Sequence, residues 1–233
     1  MQAERPTFLE RARHGREARA LSSEPAGRYA WVALSYGTLG ALGAGVAVAM
    51  GSDPLTTDPW IMMDGPLALA ASVVLGLVVA WATTRATRAV VAHASWGRQL
   101  HGDLRPVVHG ADDSVIVVTA IASGLGEELF FRGLLVPIVG VVASSLAFGL
   151  LHQIRGRARW AWAGWALLMG LIFGALFKLT GQLAGPVVAH VVINGVNLRY
   201  LRDKNPLPGT RALGGLLEPR ARAEVSSAGQ RRL

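Results

Sequence analysis

Six blocks of nearly uninterrupted apolar residues limit the fold of this chain more than any other feature. The blocks cover about residues 29–50, 66–84, 113–132, 134–152, 160–180 and 184–200. Each is close to the ~20 residues that a helix needs to cross a bilayer, and none shows the alternation of a soluble amphipathic element. The sequence therefore predicts an all-α, polytopic transmembrane bundle of about six spans.

The overall composition supports a membrane protein. Hydrophobic residues make up 52 % of the 233 positions and charged residues only 16 %, whereas a typical soluble chain carries about 25 % charged residues. The net charge is +8, but the arginines lie at the edges of the apolar blocks without a nucleic-acid motif. We therefore expect them to set topology and contact lipid. The absence of cysteine excludes disulfides and thiolate catalysis.

The pattern of blocks and charges predicts four regions. They are a basic arm (1–28), two transmembrane helices with an interfacial segment (29–112), a helical core (113–201) and a disordered basic tail (202–233). The interfacial segment could contain a helix within 86–100. Small residues near the end of the first block resemble a signal-peptide cleavage site. Because the preceding basic arm is long for a signal peptide, we favour a transmembrane helix.

The distribution of basic residues predicts the topology. The arm, the 85–112 segment, the 153–159 turn and the tail are rich in arginine. The 51–65 loop has no Lys or Arg, and the turn at 178–184 has only Lys178. By the positive-inside rule both termini should face the cytoplasm. The Ala-, Gly- and Arg-rich composition is typical of a bacterial protein, so the inner (plasma) membrane is the expected location.

Ionisable residues occur in only some of the apolar blocks. Glu127, Glu128 and Arg132 lie in GLGEELFFRG, His152 ends FGLLH, and His190 begins HVVIN. A charge near the bilayer centre costs at least ~2.5–3.5 kcal/mol on insertion scales. These residues would persist only if they are paired or line a wet cavity.

The spacing of these residues predicts two groups. Glu128 and Arg132 are four apart, so they can form an ion pair along one helix face. Glu127 is rotated by about 100° from Glu128 and can point into a cavity instead. His190 and Asn194 are also four apart, and we expect Asn194 to orient one ring nitrogen of His190.

This arrangement suits hydrolysis of a peptide bond. A carboxylate in a water-poor cavity can act as a general base, so Glu127 could take a proton from water. The resulting hydroxide could attack a peptide carbonyl. His152, or His190 with Asn194, could then donate to the oxyanion.

The three motifs together resemble those of the CAAX-protease and bacteriocin-processing family of intramembrane endopeptidases. That family carries EExxxR, FxxxH and HxxxN in this order, and the chain has EELFFR at 127–132, FGLLH at 148–152 and HVVIN at 190–194. The resemblance covers about residues 113–200. It implies a protease with a membrane-anchored protein or peptide substrate, processed at its C-terminus or at a sorting tail.

The resemblance also implies a role for each motif residue. Glu127 would be the water-activating base, and the other catalytic residues would be His152, His190 and Asn194. The supporting residues would be Glu128, Arg132 and Phe148.

Two alternatives remain open from the sequence. Glu127, His152 and His190 could form a two-His, one-carboxylate site for a divalent metal such as zinc. The chain lacks an HExxH motif, so we favour a mechanism without a cofactor. The same polar residues could instead form a proton relay or assemble partners in a non-catalytic membrane protein.

The predicted helix boundaries leave His152 at a different depth from the other residues. At ~1.5 Å per residue, His152 lies roughly 10–15 Å nearer the cytoplasm than Glu127 and His190. A site made from all three therefore requires a shifted or displaced fourth helix.

Overall fold

A computed structural model describes residues 30–154 and 158–206, and these residues form a helical bundle. The predicted arm, nearly all of the predicted tail and the middle of the 153–159 turn lie outside the described residues. The helices are α1 (Ala30–Ala49), α2 (Gly65–His93), α3 (Ser95–Val108), α4 (Asp113–Glu128), α5 (Val136–Leu151), α6 (Arg159–Thr180) and α7 (Ala184–Asp203). A π-helical segment, Leu129–Leu135, joins α4 to α5.

The helices have the length and surface of membrane spans. Four stretches are long and apolar enough to cross a bilayer, namely α1, α2, α6 and the 39-residue run Asp113–Leu151. That run folds back on itself and supplies two legs. Helix α7 has 20 residues, although its inward polar side chains lower its hydropathy. Large apolar side chains cover the outside of the bundle, including Leu77, Val78, Val142 and Leu146. The predicted all-α, multi-pass membrane fold of about six spans is thus confirmed.

The chain reverses direction at Gly140, and not at the predicted boundary near residues 132–134. Gly140 has φ 81° and ψ 169°, a conformation that glycine adopts without the steric cost of a side chain. The helix instead continues through the π-helical segment before it turns. Hydropathy missed this turn because the residues on both sides of it are apolar.

The reversal at Gly140 brings His152 to the depth of Glu127. Glu127 precedes Gly140 by 13 residues and His152 follows it by 12. At ~1.5 Å per residue, the two side chains begin ~20 Å and ~18 Å from the same turn. With the turn at Gly140, His152 and Glu127 no longer differ in depth as the predicted boundaries implied.

The leg after Gly140 packs back along the π-helical segment. The hydroxyl of Ser144 donates to the Phe131 carbonyl at 2.8 Å. The rings of Phe131 and Phe148 meet edge to face, with centroids 4.8 Å apart. These contacts hold the end of α5 against the start of the π-helical segment.

The interfacial segment differs from the helix predicted within 86–100. Helix α2 continues past residue 84, and α3 begins only after Ala94, which has extended backbone angles. Helix α3 lies against the end of α7, where the His101 ring hydrogen-bonds the Lys204 carbonyl at 3.0 Å.

Loops that the arginine pattern assigns to one side of the membrane contact each other. The Thr57 amide donates to the Gly181 carbonyl at 3.1 Å, and the Leu183 amide donates to the Leu55 carbonyl at 2.9 Å. The 51–65 loop and the turn after α6 therefore share one end of the bundle. Helix α3 and the end of α7 occupy the opposite end.

Small residues allow α5 and α6 to approach closely. Gly170 and Gly174 of α6 form a GxxxG pattern, which is typical of tight packing in membranes. A Cβ added at Gly170 would lie 2.9 Å from the Ser145 Cβ, and one at Gly174 would lie 2.7 Å from Val141 Cγ1. The pattern therefore serves close packing of α5 and α6.

This packing predicts that Gly170→Val destabilises the protein. Overpacking a close contact costs about 1–3 kcal/mol, so the melting temperature in detergent should fall. Gly164→Val is the matched control, because Gly164 is on the same helix and a Cβ there meets nothing within 4 Å. Equal melting temperatures for the two variants would contradict the described α5–α6 contact.

Candidate active site

The two adjacent glutamates at the end of α4 face different surroundings. Both are buried, with Glu127 5 % and Glu128 0 % exposed. Glu127 lines a large cavity, whereas Glu128 points away from it into the packed bundle. The rotation of about 100° between neighbouring helical residues produces this division.

Glu128 and Arg132 form the ion pair that their spacing predicts. Arg132 Nη1 donates to Glu128 Oε1 at 2.9 Å, and both side chains are almost fully buried. The other terminal nitrogen of Arg132 donates to the Gly170 carbonyl at 3.3 Å. The guanidinium also lies over the rings of Phe148 and Phe173, at 4.6 and 5.3 Å. These contacts offset the desolvation of the guanidinium charge.

His190 is oriented by Glu128, and not by Asn194 as predicted. The His190 Nδ1 lies 2.7 Å from Glu128 Oε1. Asn194 Nδ2 instead donates to Ser123 Oγ on α4 at 2.9 Å. The prediction failed because it considered only α7, while a carboxylate on a neighbouring helix is a stronger acceptor than an amide oxygen.

His152 follows the last residue of α5 and leaves the helical conformation, with φ −84° and ψ 68°. Its Nδ1 lies 2.7 Å from the Phe148 carbonyl oxygen. The rings of Phe148 and His152 are 4.3 Å apart. The FxxxH spacing therefore orients the histidine through both a backbone hydrogen bond and a ring contact.

The partners of the two histidines define their tautomers. A carbonyl oxygen and an ionised carboxylate can only accept hydrogen bonds, so both rings carry a proton on Nδ1. The Nε2 atoms of His152 and His190 lie 3.8 and 3.7 Å from Glu127 Oε2. These distances exceed direct hydrogen bonds and suit a bridging water.

The cavity beside Glu127 has a volume of about 660 Å³. Its inner part carries the polar side chains of Ser123, Glu127, His152, His190 and Asn194. Its walls continue through apolar residues of α3 and α7, including Leu104, Val108 and Leu201. The cavity therefore connects the buried carboxylate with the end of the bundle where α3 and the end of α7 lie.

Glu127 and the Nε2 atoms of His152 and His190 are the groups that could hold a divalent metal. Both histidines present an unengaged nitrogen towards the same carboxylate oxygen, so their chemistry fits such an ion. Within residues 30–154 and 158–206, however, no three His, Cys, Asp or Glu side chains form a group at metal-binding spacing.

Two side chains near the site were missed by the sequence analysis. Ser123 precedes Glu127 by one helical turn, and this four-residue spacing could have indicated it. Tyr36 of α1 lines the same cavity as Glu127. No spacing rule relates Tyr36 to a motif about ninety residues away, because only the tertiary fold brings them together.

Comparison with known proteins supports the resemblance drawn from the motifs. Residues 114–196 match the family described as type II CAAX prenyl endopeptidase Rce1-like. This segment of the helical core is similar to that family. All three motifs lie within the matched segment, whereas α1, α2 and α3 lie outside it. The resemblance predicted from the motifs is therefore confirmed over this segment.

The chain is also similar to an uncharacterized protein, YpbD, of Bacillus subtilis (strain 168). The two are 30 % identical over 81 residues, which represent 35 % of this chain and 42 % of YpbD. The chain thus spans less than half the length of this relative. No solved structure matches the chain.

The buried ion pair predicts that the two glutamates differ in their effect on stability. Glu128→Gln removes the negative charge that pairs with Arg132 and leaves a weaker, neutral acceptor for His190, and breaking a buried pair costs about 3–5 kcal/mol. We expect much less folded protein and a lower melting temperature in detergent. Glu127→Gln should melt close to wild type, since Arg132 keeps its partner. A stable Glu128→Gln protein beside an unstable Glu127→Gln protein would reverse this assignment.

Proposed function

We propose that the chain is an intramembrane endopeptidase that hydrolyses a peptide bond with water activated by Glu127. The observation that carries the proposal is the convergence of three groups on one point of the cavity. Glu127 Oε2 faces the Nε2 atoms of both His152 and His190. The similarity of the surrounding core to Rce1-like endopeptidases supports peptide hydrolysis as the reaction.

In the proposed reaction, a water molecule lies between Glu127 and the two Nε2 atoms. Glu127 takes one proton from the water, and the oxygen forms a bond to the carbonyl carbon of the substrate. The electron pair of the carbonyl double bond moves to its oxygen. When the tetrahedral intermediate collapses, the C–N bond breaks and the proton on Glu127 passes to the leaving amine.

In this proposal the histidines and Asn194 stabilise the oxyanion. Because Nδ1 carries the proton in each neutral ring, Nε2 can donate only when the ring is an imidazolium. Glu127 lies beside the Nε2 atoms of both rings, and Glu128 accepts from Nδ1 of His190. Asn194 gives one amide hydrogen to Ser123, so its second one is available for the oxyanion. Glu128, Arg132 and Phe148 hold these groups in position.

The proposed substrate is a membrane-anchored protein or peptide, with no nucleic acid involved. Apolar walls lead from Glu127 to one end of the bundle, so an extended segment beside a membrane anchor could reach the carboxylate. We favour C-terminal processing or removal of a sorting tail. This proposal rests on the apolar walls of the cavity and on the family resemblance.

A proton relay is the second candidate function. Glu127, His190 and Glu128 form a continuous series of titratable side chains inside the bundle, and intramembrane carboxylates and histidines mark proton pathways. Such a relay requires no peptide cleavage. Cleavage that depends on Glu127 therefore separates the two functions.

The decisive test compares the C-termini of membrane proteins in cells with wild-type chain, the Glu127→Gln variant and no chain. Wild type should produce shortened C-termini that are absent from the other two. With a purified substrate, Glu127→Gln should reduce the cleavage rate by about 10²–10⁴-fold, the usual effect of losing a general base. Equal cleavage by wild type and Glu127→Gln would refute the protease proposal at this site.

We expect cleavage without a metal ion, because a glutamate can activate water alone. Purified protein should retain its activity after prolonged incubation with a strong chelator, measured as the rate of substrate cleavage. Loss of activity that zinc restores would replace this mechanism with a metal site of Glu127, His152 and His190.

We propose that the chain lies in a bacterial inner (plasma) membrane with both termini in the cytoplasm. The arginine pattern supports this orientation. Reporter fusions after residue 58 and after residue 233 should therefore lie on opposite sides of the membrane. Fusions on the same side would show that the number of spans is wrong.

A further inference from the structure

Helix α1 touches α4 one residue before Glu127. A Cβ added at Gly126 would overlap the carbonyl oxygen of Tyr36. A Cβ added at Gly40 would lie only 2.9 Å from the Cα of Gly126. The two helix backbones are thus in direct contact where α4 presents its catalytic glutamate, so the position of α1 is closely tied to that of Glu127.

This contact places one face of α1 in the wall of the cavity. Val32, Tyr36 and Leu39 are spaced at helical intervals, and all three line the cavity that holds Glu127. Tyr36 carries the polar group among them. Its side chain lines the same cavity as the Glu127 carboxylate, and because a carboxylate only accepts, the phenol would be the donor in a hydrogen bond between them.

The charged and imidazole groups around Glu127 already have partners or face Oε2. Arg132 is engaged by Glu128, and the Nε2 atoms of His152 and His190 are directed at Oε2. Glu127 Oε2 has no hydrogen-bond partner among the described residues. The phenol of Tyr36 is therefore the group that can hold the carboxylate from the side of α1.

We propose that Tyr36 is a positioning residue for Glu127, a role that rests on the proposed peptide hydrolysis. Its hydroxyl holds the carboxylate so that Oε2 stays directed at the water site between the two histidines. Helix α1 lies outside the segment that matches the Rce1-like family. The active site would accordingly include a helix that the family match does not cover.

Tyr36→Phe tests this role, because it removes the hydroxyl and keeps the ring. We expect kcat to fall by about 10–100-fold, as for the loss of one hydrogen bond to a charged group, with KM and melting temperature unchanged. Tyr200→Phe is the matched control, since it makes the same change at the far end of α7, and it should retain wild-type kcat. The substrate for these kinetic measurements is a membrane protein whose C-terminus is shortened in cells with wild type and not in cells with Glu127→Gln.

A second pair of variants tests the helix contact. Gly40→Leu should push α1 away from Gly126 and reproduce the fall in kcat of the folded protein. Gly37→Leu serves as its control, because a Cβ at Gly37 meets nothing within 4 Å. Equal kcat values for these two variants, or a wild-type kcat for Tyr36→Phe, would overturn the positioning role.

Infrared spectroscopy separates this inference from the proposed function. The carboxylate band of Glu127 can be assigned by its loss in Glu127→Gln, and its frequency should shift in Tyr36→Phe as the hydrogen bond is lost. An unshifted band overturns the assignment of Tyr36 whatever the activity. If membrane proteins have the same C-termini in cells with wild type and with Glu127→Gln, the proposed function is overturned instead. The infrared band would then still show whether Tyr36 contacts Glu127.

Discussion

The buried ion pair between Glu128 and Arg132 is the interaction on which the site depends. It places two opposite charges in the interior, where each alone would be costly. The same carboxylate accepts from His190, and the same guanidinium reaches the Gly170 carbonyl and two aromatic rings. One ion pair thereby links α4, the π-helical segment, α6 and α7. It also leaves the neighbouring Glu127 free of a strong counter-ion and available to the cavity.

The turn at Gly140 brings His152 to the same part of the bundle as Glu127. Without this turn, α5 would continue away from the core, and His152 would lie at a different depth in the membrane from Glu127. The folded-back leg is held by the Ser144 hydroxyl and by the edge-to-face rings of Phe131 and Phe148. Phe148 then serves twice, because it covers the Arg132 guanidinium and orients His152 through its carbonyl. The contacts that stabilise the hairpin therefore also set the geometry of the site.

The cavity joins the matched core to helices outside it. Helices α1 and α3 contribute walls to the space beside Glu127, although neither carries a motif residue. The contact of α1 with α4 depends on the glycines and backbone groups at their crossing. Such contacts shape the wall of the cavity, but they involve no residue of a catalytic motif. Part of the cavity wall is thus built from helices outside the segment that matches the family.

The sequence by itself determined the class of fold, the polar side chains that meet beside the cavity and the resemblance of the core to Rce1-like endopeptidases, because intramembrane charges are costly and stand out in apolar helices. It also determined the Glu128–Arg132 pair, since that contact lies within one helix. The tertiary structure decided the turn at Gly140, the partner of His190 and the presence of Tyr36 at the site. Each of these depends on contacts between helices distant in sequence. Neither the hydropathy of a helix nor the spacing of residues along it indicates which residues of another helix it will contact.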